Sequence, residues 1–118
     1  MDEPAVGTWP VLVTLPAEID VMNALDVDCQ LNAAALRPGV GIVIADMTAT
    51  VFCDSMGIRT LLLAHERTAR NGAELRLVRP GNAVRRVLKV MGADRVLVIY
   101  ETVGDAMTPG PRTMAYGQ

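Results

Sequence analysis

Aromatic rings, histidine and cysteine are all scarce in this chain, and each shortage removes a class of answer. Trp, Tyr and Phe supply only 3% of the 118 residues, so a core has to be assembled from Val, Leu, Ile, Ala and Met, which suits a layered α/β or α+β domain. A single histidine, His65, and two isolated cysteines, Cys29 and Cys53, supply neither a zinc ligand set nor a disulfide framework. No metal or cofactor is therefore expected, and both cysteines read as small buried hydrophobes. No apolar run approaches the ~20 residues that cross a bilayer. The acidic opening Met1-Asp2-Glu3-Pro4 also lacks the basic start of a secretory signal, so a cytoplasmic protein away from membranes is expected. A formal charge of -2 gives no pull toward nucleic acid. Glycine-rich phosphate loops, internal repeats and interdomain linkers are missing as well.

What is present is sized for one domain with its own core. Pro4, Gly7 and Pro10 interrupt residues 1–10, expected to form a loose arm or a short edge strand. The domain proper is expected over residues 11–107. Val11 to Leu15 reads as its first strand, and Asp20 is placed to cap a helix over Val21 to Leu36. Along that helix Met22, Leu25, Cys29, Ala33 and Leu36 recur at steps of three or four, the spacing of one buried face. Gly41 to Met47 is nearly all apolar, as in a strand covered on both sides. A loop with polar threonines follows, its Val51 and Phe52 expected to tuck inward.

A second helix is expected from Ser55 to Arg70, with Ile58, Leu61, Leu62, His65 and Ala69 along one side and Asn71-Gly72 as its stop. Glu74 to Arg79 largely alternates charged and apolar residues, the pattern of a strand with one wetter face. Asn82 is placed to cap a third helix that buries Val84, Val87, Leu88 and Met91. A strand over Arg95 to Tyr100 and a short helix over Glu101 to Met107 follow, and Pro109, Gly110 and Pro111 point to a flexible tail over residues 108–118. Strands alternating with amphipathic helices imply crossover connections and a largely parallel sheet.

The stretch Cys53-Asp54-Ser55-Met56-Gly57 joins the buried strand to the central helix and carries the functional question. Ser55 is well placed to cap that helix; alternatively Asp54 caps it and leaves the Ser55 hydroxyl free. A hydrolytic nucleophile fits poorly, because the glycine two residues before the serine of a nucleophile elbow is absent. His65 lies ten residues along the same helix, about 15 Å away by helical rise, beyond the reach of a general base. No enzymatic activity is expected. As a phosphoacceptor, Ser55 would gain close to two negative charges at a helix start, where the dipole and free N–H groups tolerate them. The surface would change while the fold survived.

Glu18-Ile19-Asp20 before the first helix, the apolar strand ending in Asp46, and Phe52 to Ile58 together resemble the STAS family, named for sulphate transporters and anti-sigma factor antagonists. The resemblance runs from about Val11 to Met107 and includes Leu61 to His65, Asn71 to Leu75, Val84, Leu88 and Gly92. It implies an α/β fold with a mixed, largely parallel sheet of four to five strands and about four helices packed mainly on one side. At this length the chain is similar to the stand-alone antagonists, which bind a serine-kinase anti-sigma factor, are switched off when the kinase phosphorylates their serine, and are restored by a phosphatase. Carried over by position, Ser55 is the phosphoacceptor, and Asp20, Asp54, Ser55, Met56 and Gly57 form the partner surface. No direct contact with nucleic acid or membrane is implied, and the chain is expected to be a monomer or a weak dimer. The alternative is a sensor module that holds a nucleotide or other small anion at the same helix start. Ala17, where many members have glycine, and Met56, where a small residue is common, depart from the pattern.

Overall fold

The computed structural model describes residues 9–108; the expected arm before Trp9 and the tail beyond Thr108 lie outside the described residues. In chain order the elements are β1 (Trp9–Thr14), β2 (Glu18–Ile19), α1 (Ala24–Ala35), β3 (Val40–Asp46), β4 (Phe52–Cys53), α2 (Ser55–Arg70), β5 (Glu74–Val78), α3 (Asn82–Val90), a 3-10 turn (Ala93–Arg95), β6 (Val98–Tyr100) and α4 (Val103–Met107). The main sheet has the order β1-β3-β5-β6, and every ladder among the described residues is parallel. This is the α/β class that the alternation of strands and helices implies. β1 begins at Trp9, earlier than the sequence suggests, and takes Pro10 into an edge strand where a missing N–H is tolerated.

Strand periodicity divides the core in two. Val43 and Ala45 of β3 face one side, where Leu15, Leu31, Ile58, Leu61, Leu75, Leu77 and Leu88 pack, so α1, α2 and α3 all cover this face. Ile42 and Ile44 point the other way, against Val78 and Ala106, under α4. The near-continuous apolar run of β3 is thus explained by helices on both faces.

α4 also corrects the expectation of a wetter face on β5. Arg76 points to that side and is only 2% exposed. Its Nη1 donates to the carbonyls of Ala106 at 2.9 Å and Thr108 at 2.7 Å, and its Nη2 pairs with Glu74 at 3.2 Å. The guanidinium also lies 5.1 Å from the centroid of the Tyr100 ring. An alternating charge that reads as solvent-facing instead ties the last helix to the sheet.

On α1 the buried face is Ala24, Val27, Leu31, Ala34 and Ala35, not the stripe of Met22, Leu25, Cys29, Ala33 and Leu36, all of which are exposed. The larger side chains dominate the periodicity, but the start of the helix fixes its rotation. Asp20 does not cap it: its Oδ1 accepts from Met22 N, while Asn23 donates from Nδ2 to the Glu18 carbonyl and accepts from Asp20 N. This knot of turns delays the helix to Ala24 and lets small alanines approach the sheet. Cys29 is consequently an exposed thiol, against expectation, whereas Cys53 is buried.

Smaller departures follow the same logic. α3 begins on Asn82 with Gly81 as its cap position, and Met91 stays partly exposed while Val84 and Leu88 are buried. Ala69 of α2 is exposed. β6 is limited to Val98–Tyr100 because Gly92 and the 3-10 turn take up the residues before it.

Candidate functional site

Two very short strands build the site. β2 pairs in parallel with β4, Glu18 opposite Phe52 and Ile19 opposite Cys53, as a separate two-stranded sheet. It fastens the β1–α1 connection to the β3–α2 connection, so Asp20, just after β2, and Asp54, just after β4, come out side by side. The anchoring is continued by the buried Thr50 hydroxyl, which donates to the Pro16 carbonyl at 2.8 Å, and by the Ala17 carbonyl, which accepts from Val51 N and Phe52 N. Asp54 N in turn donates to the Ile19 carbonyl at 3.1 Å. Nothing in the local sequence of Glu18-Ile19 or Phe52-Cys53 marks a strand, since two residues carry no period; only their encounter makes one.

Ala17 needs no glycine to take part: Arg79 is the non-glycine residue with positive φ among the described residues. Val51 and Phe52, expected to tuck inward, are exposed instead. The loop's inward anchors are Thr50 and Cys53, which leaves the two apolar side chains on the surface beside the serine.

The cap of α2 is Asp54. Its Oδ1 accepts from Gly57 N at 2.9 Å, with the backbone extended at Asp54. Ser55 therefore occupies the first helical position with its side chain exposed, and among the described residues no hydrogen bond engages its hydroxyl. The reading of Ser55 itself as the cap is overturned. Met56 is half exposed beside it, and Gly57 is buried.

Gly57 is the residue that packing dictates. A Cβ there would lie 2.5 Å from Cys53 Sγ, 2.9 Å from Ile19 Cγ2 and 3.1 Å from the Ile19 carbonyl oxygen. The first turn of α2 lies directly on the β2–β4 pair, and only a residue without a side chain permits that approach. Asp20, Asp54, Ser55, Met56 and Gly57 are thus brought to one surface, with Gly57 as its floor.

The family model for the STAS domain matches residues 4–106. The chain belongs to the STAS family. It is similar to the anti-sigma-F factor antagonist RsfB of Mycobacterium tuberculosis, with 29% identity over 86 residues, covering 66% of this chain and 70% of that protein. An anti-sigma factor antagonist from Mycobacterium paratuberculosis superimposes with a TM-score of 0.71 at 26% identity, covering 89% of this chain and 86% of that one. SpoIIAA in its unphosphorylated form gives a TM-score of 0.70 at 20% identity, over 88% of this chain and 90% of that one. The phosphorylated form of the Bacillus protein gives 0.63 at 19% identity, over 88% and 93%. At these identities the SpoIIAA structures show the shared fold.

Within this STAS domain Cys53, two residues before the serine, is buried and chemically quiet. Burial, and then the neighbouring Asp54 charge, push the Cys53 thiol up from 9.0 to about 12. In the unfolded chain the same thiol ionises at its ordinary value, so the native state is favoured fully below pH 9 and loses that advantage as pH rises toward 12. Melting scans in alkaline buffers should show wild type losing stability above pH 9 more steeply than Cys53→Ala. A native thiol titration should count Cys29 promptly and Cys53 only after unfolding.

Among the described residues no group of three or more His, Cys, Asp or Glu could hold a metal ion, and no helix is long and apolar enough to cross a membrane. His65 lies partly buried on α2, ten residues from Ser55.

Proposed function

We propose that this STAS domain is an anti-sigma factor antagonist that binds a serine-kinase anti-sigma factor and is released when the kinase phosphorylates Ser55, a phosphatase restoring the binding form. One observation carries the reading: Asp54 takes over the capping bond of α2, which leaves Ser55 exposed with its hydroxyl uncommitted at the helix start. The names of its relatives RsfB and SpoIIAA support the antagonist role, and the phosphorylated form of SpoIIAA supports a covalent switch in this fold. A phosphate on Ser55 would project into water near the free amides of the first helical turn, so the fold tolerates it. A partner covering the same surface would have to strip water from a group carrying close to two charges.

The test is intact-mass analysis after incubation with ATP and the anti-sigma kinase. One phosphate is expected on wild type and none on Ser55→Ala; modification of Ser55→Ala to the same extent would end the proposal. Ser55→Asp is expected to weaken kinase binding about tenfold, a cost of about 1.4 kcal/mol, while thermal stability moves by less than about 0.5 kcal/mol.

A free anionic ligand at the same helix start is less well supported. Asp54 Oδ1 already accepts the Gly57 amide, so a carboxylate occupies the helix start where such an anion would sit.

A further inference from the structure

α1 and α2 each follow a strand of one parallel sheet and cover the same face, so they run in the same direction with their first turns side by side. Between them lies a trough of about 280 Å³. On α2 its wall is Met56, Thr60 and Leu63, spaced by about one helical turn, and facing them are Leu25 of α1 and Val21 in the turn just before it. Val21, Leu25, Met56 and Leu63 are between 45% and 73% exposed, a concentration of apolar surface that the domain's own core does not use. The trough opens at Val21 and Met56, the immediate neighbours of Asp20 and Ser55. Its far end is closed by the ion pair of Arg67 with Asp28 at 2.7 Å.

We propose that this trough seats the apolar stripe of a helical segment of the anti-sigma partner, which rests on the function proposed above and names the chemistry of its contact. The one-turn repeat of Met56, Thr60 and Leu63 along the α2 wall suits a helix, whose side chains at i, i+3 or i+4, and i+7 enter such a groove. With an α-helix about 10–12 Å across, the volume admits anchoring side chains and not the whole segment. The stripe is uncharged, because the two charges lining the trough neutralise each other. Met56 belongs both to the serine motif and to the trough wall, so a segment filling the trough lies against Ser55. A hydroxyl is compatible with that cover. A phosphate there is stripped of water against apolar side chains, which places the penalty of phosphorylation on desolvation of the docked segment.

The described residues begin and end away from the trough: Trp9 opens β1 at the amino end of the strands, and Thr108 follows α4 on the opposite face of the sheet.

The experiment measures binding of the anti-sigma kinase to wild type, Leu25→Gln, Leu63→Gln and Val90→Gln without ATP, and then KM and kcat for Ser55 phosphorylation. Val90 is exposed on α3, away from the trough. The two trough variants are expected to bind roughly tenfold more weakly, with KM raised to match, kcat unchanged and Val90→Gln like wild type. Unaltered binding by both trough variants, or equal weakening by Val90→Gln, overturns the proposal. A stable dimer in sedimentation that Leu25→Gln dissolves also overturns it, by making a second copy the occupant. If Ser55 is never modified, the phosphorylation switch fails, while the binding measured without ATP still decides the trough.

Discussion

Replacing Arg76 with alanine is expected to lower the unfolding free energy by about 3–5 kcal/mol, the range for removing one partner of a buried ionic group. The loss has several parts that cannot be compensated locally. The Ala106 and Thr108 carbonyls lose their guanidinium donor, the Tyr100 ring loses the cation beside it, and the Arg76–Glu74 ion pair is lost. α4 has one turn of its own and depends on this contact and on Ala106 to stay on the sheet. Urea denaturation should therefore show a lower midpoint for Arg76→Ala, and hydrogen exchange should quicken first in α4 and β6. Arg76→Met separates charge from bulk. It keeps much of the volume, removes the Arg76–Glu74 ion pair, and should still lose most of the stability if the polar contacts dominate. A midpoint like that of wild type for both variants would show that Arg76 only fills space.

The second large effect is expected at Gly57. Alanine in a helix interior ordinarily stabilises by up to about 1 kcal/mol relative to glycine. Here the added methyl meets Cys53 Sγ and the Ile19 side chain and carbonyl, all at 3.1 Å or less. Overpacking of this kind costs about 1–3 kcal/mol, and a contact with backbone cannot be relieved by a rotamer change. Steric cost wins, so Gly57→Ala is expected to destabilise by about 1–2 kcal/mol net. Gly104→Ala is the contrast: it has only Thr102 Oγ1 nearby, at 3.8 Å, and should hold or gain stability. The functional consequence matters more than the number. Any relief of the clash lifts the first turn of α2 off the β2–β4 pair and separates Ser55 from Asp20. Kinase binding by Gly57→Ala should fall even at temperatures where the domain remains folded. Wild-type binding by a folded Gly57→Ala would show that the close approach serves packing alone.

These two residues illustrate different limits on reading the chain. Gly57 stands out in the motif by its type and spacing, but its steric role follows from β4 and β2 meeting beneath it. Arg76 carries no signal at all: in an alternating strand a charged residue is ordinarily the solvated one, and the short apolar run that ends in α4 gives little indication of which sheet face it will cover.

The sequence by itself determined the alternation of strands and helices, the doubly covered central strand and the placement of a serine at the start of α2, because these depend on periods and spacings along a single segment. Tertiary structure decided the rest. Which apolar stripe of α1 is buried depended on the turn at Asp20 to Asn23, and so the bulkier stripe went to the surface, where its Leu25 lines a trough. Which residue caps α2 depended on the path that β4 imposes on Asp54. That choice leaves the Ser55 hydroxyl uncommitted. The cap of α2 depends on contacts between segments more than thirty residues apart, such as Thr50 with Pro16 and Ile19 with Cys53, and the rotation of α1 on side-chain bonds within its entry turn. No period along one segment encodes them.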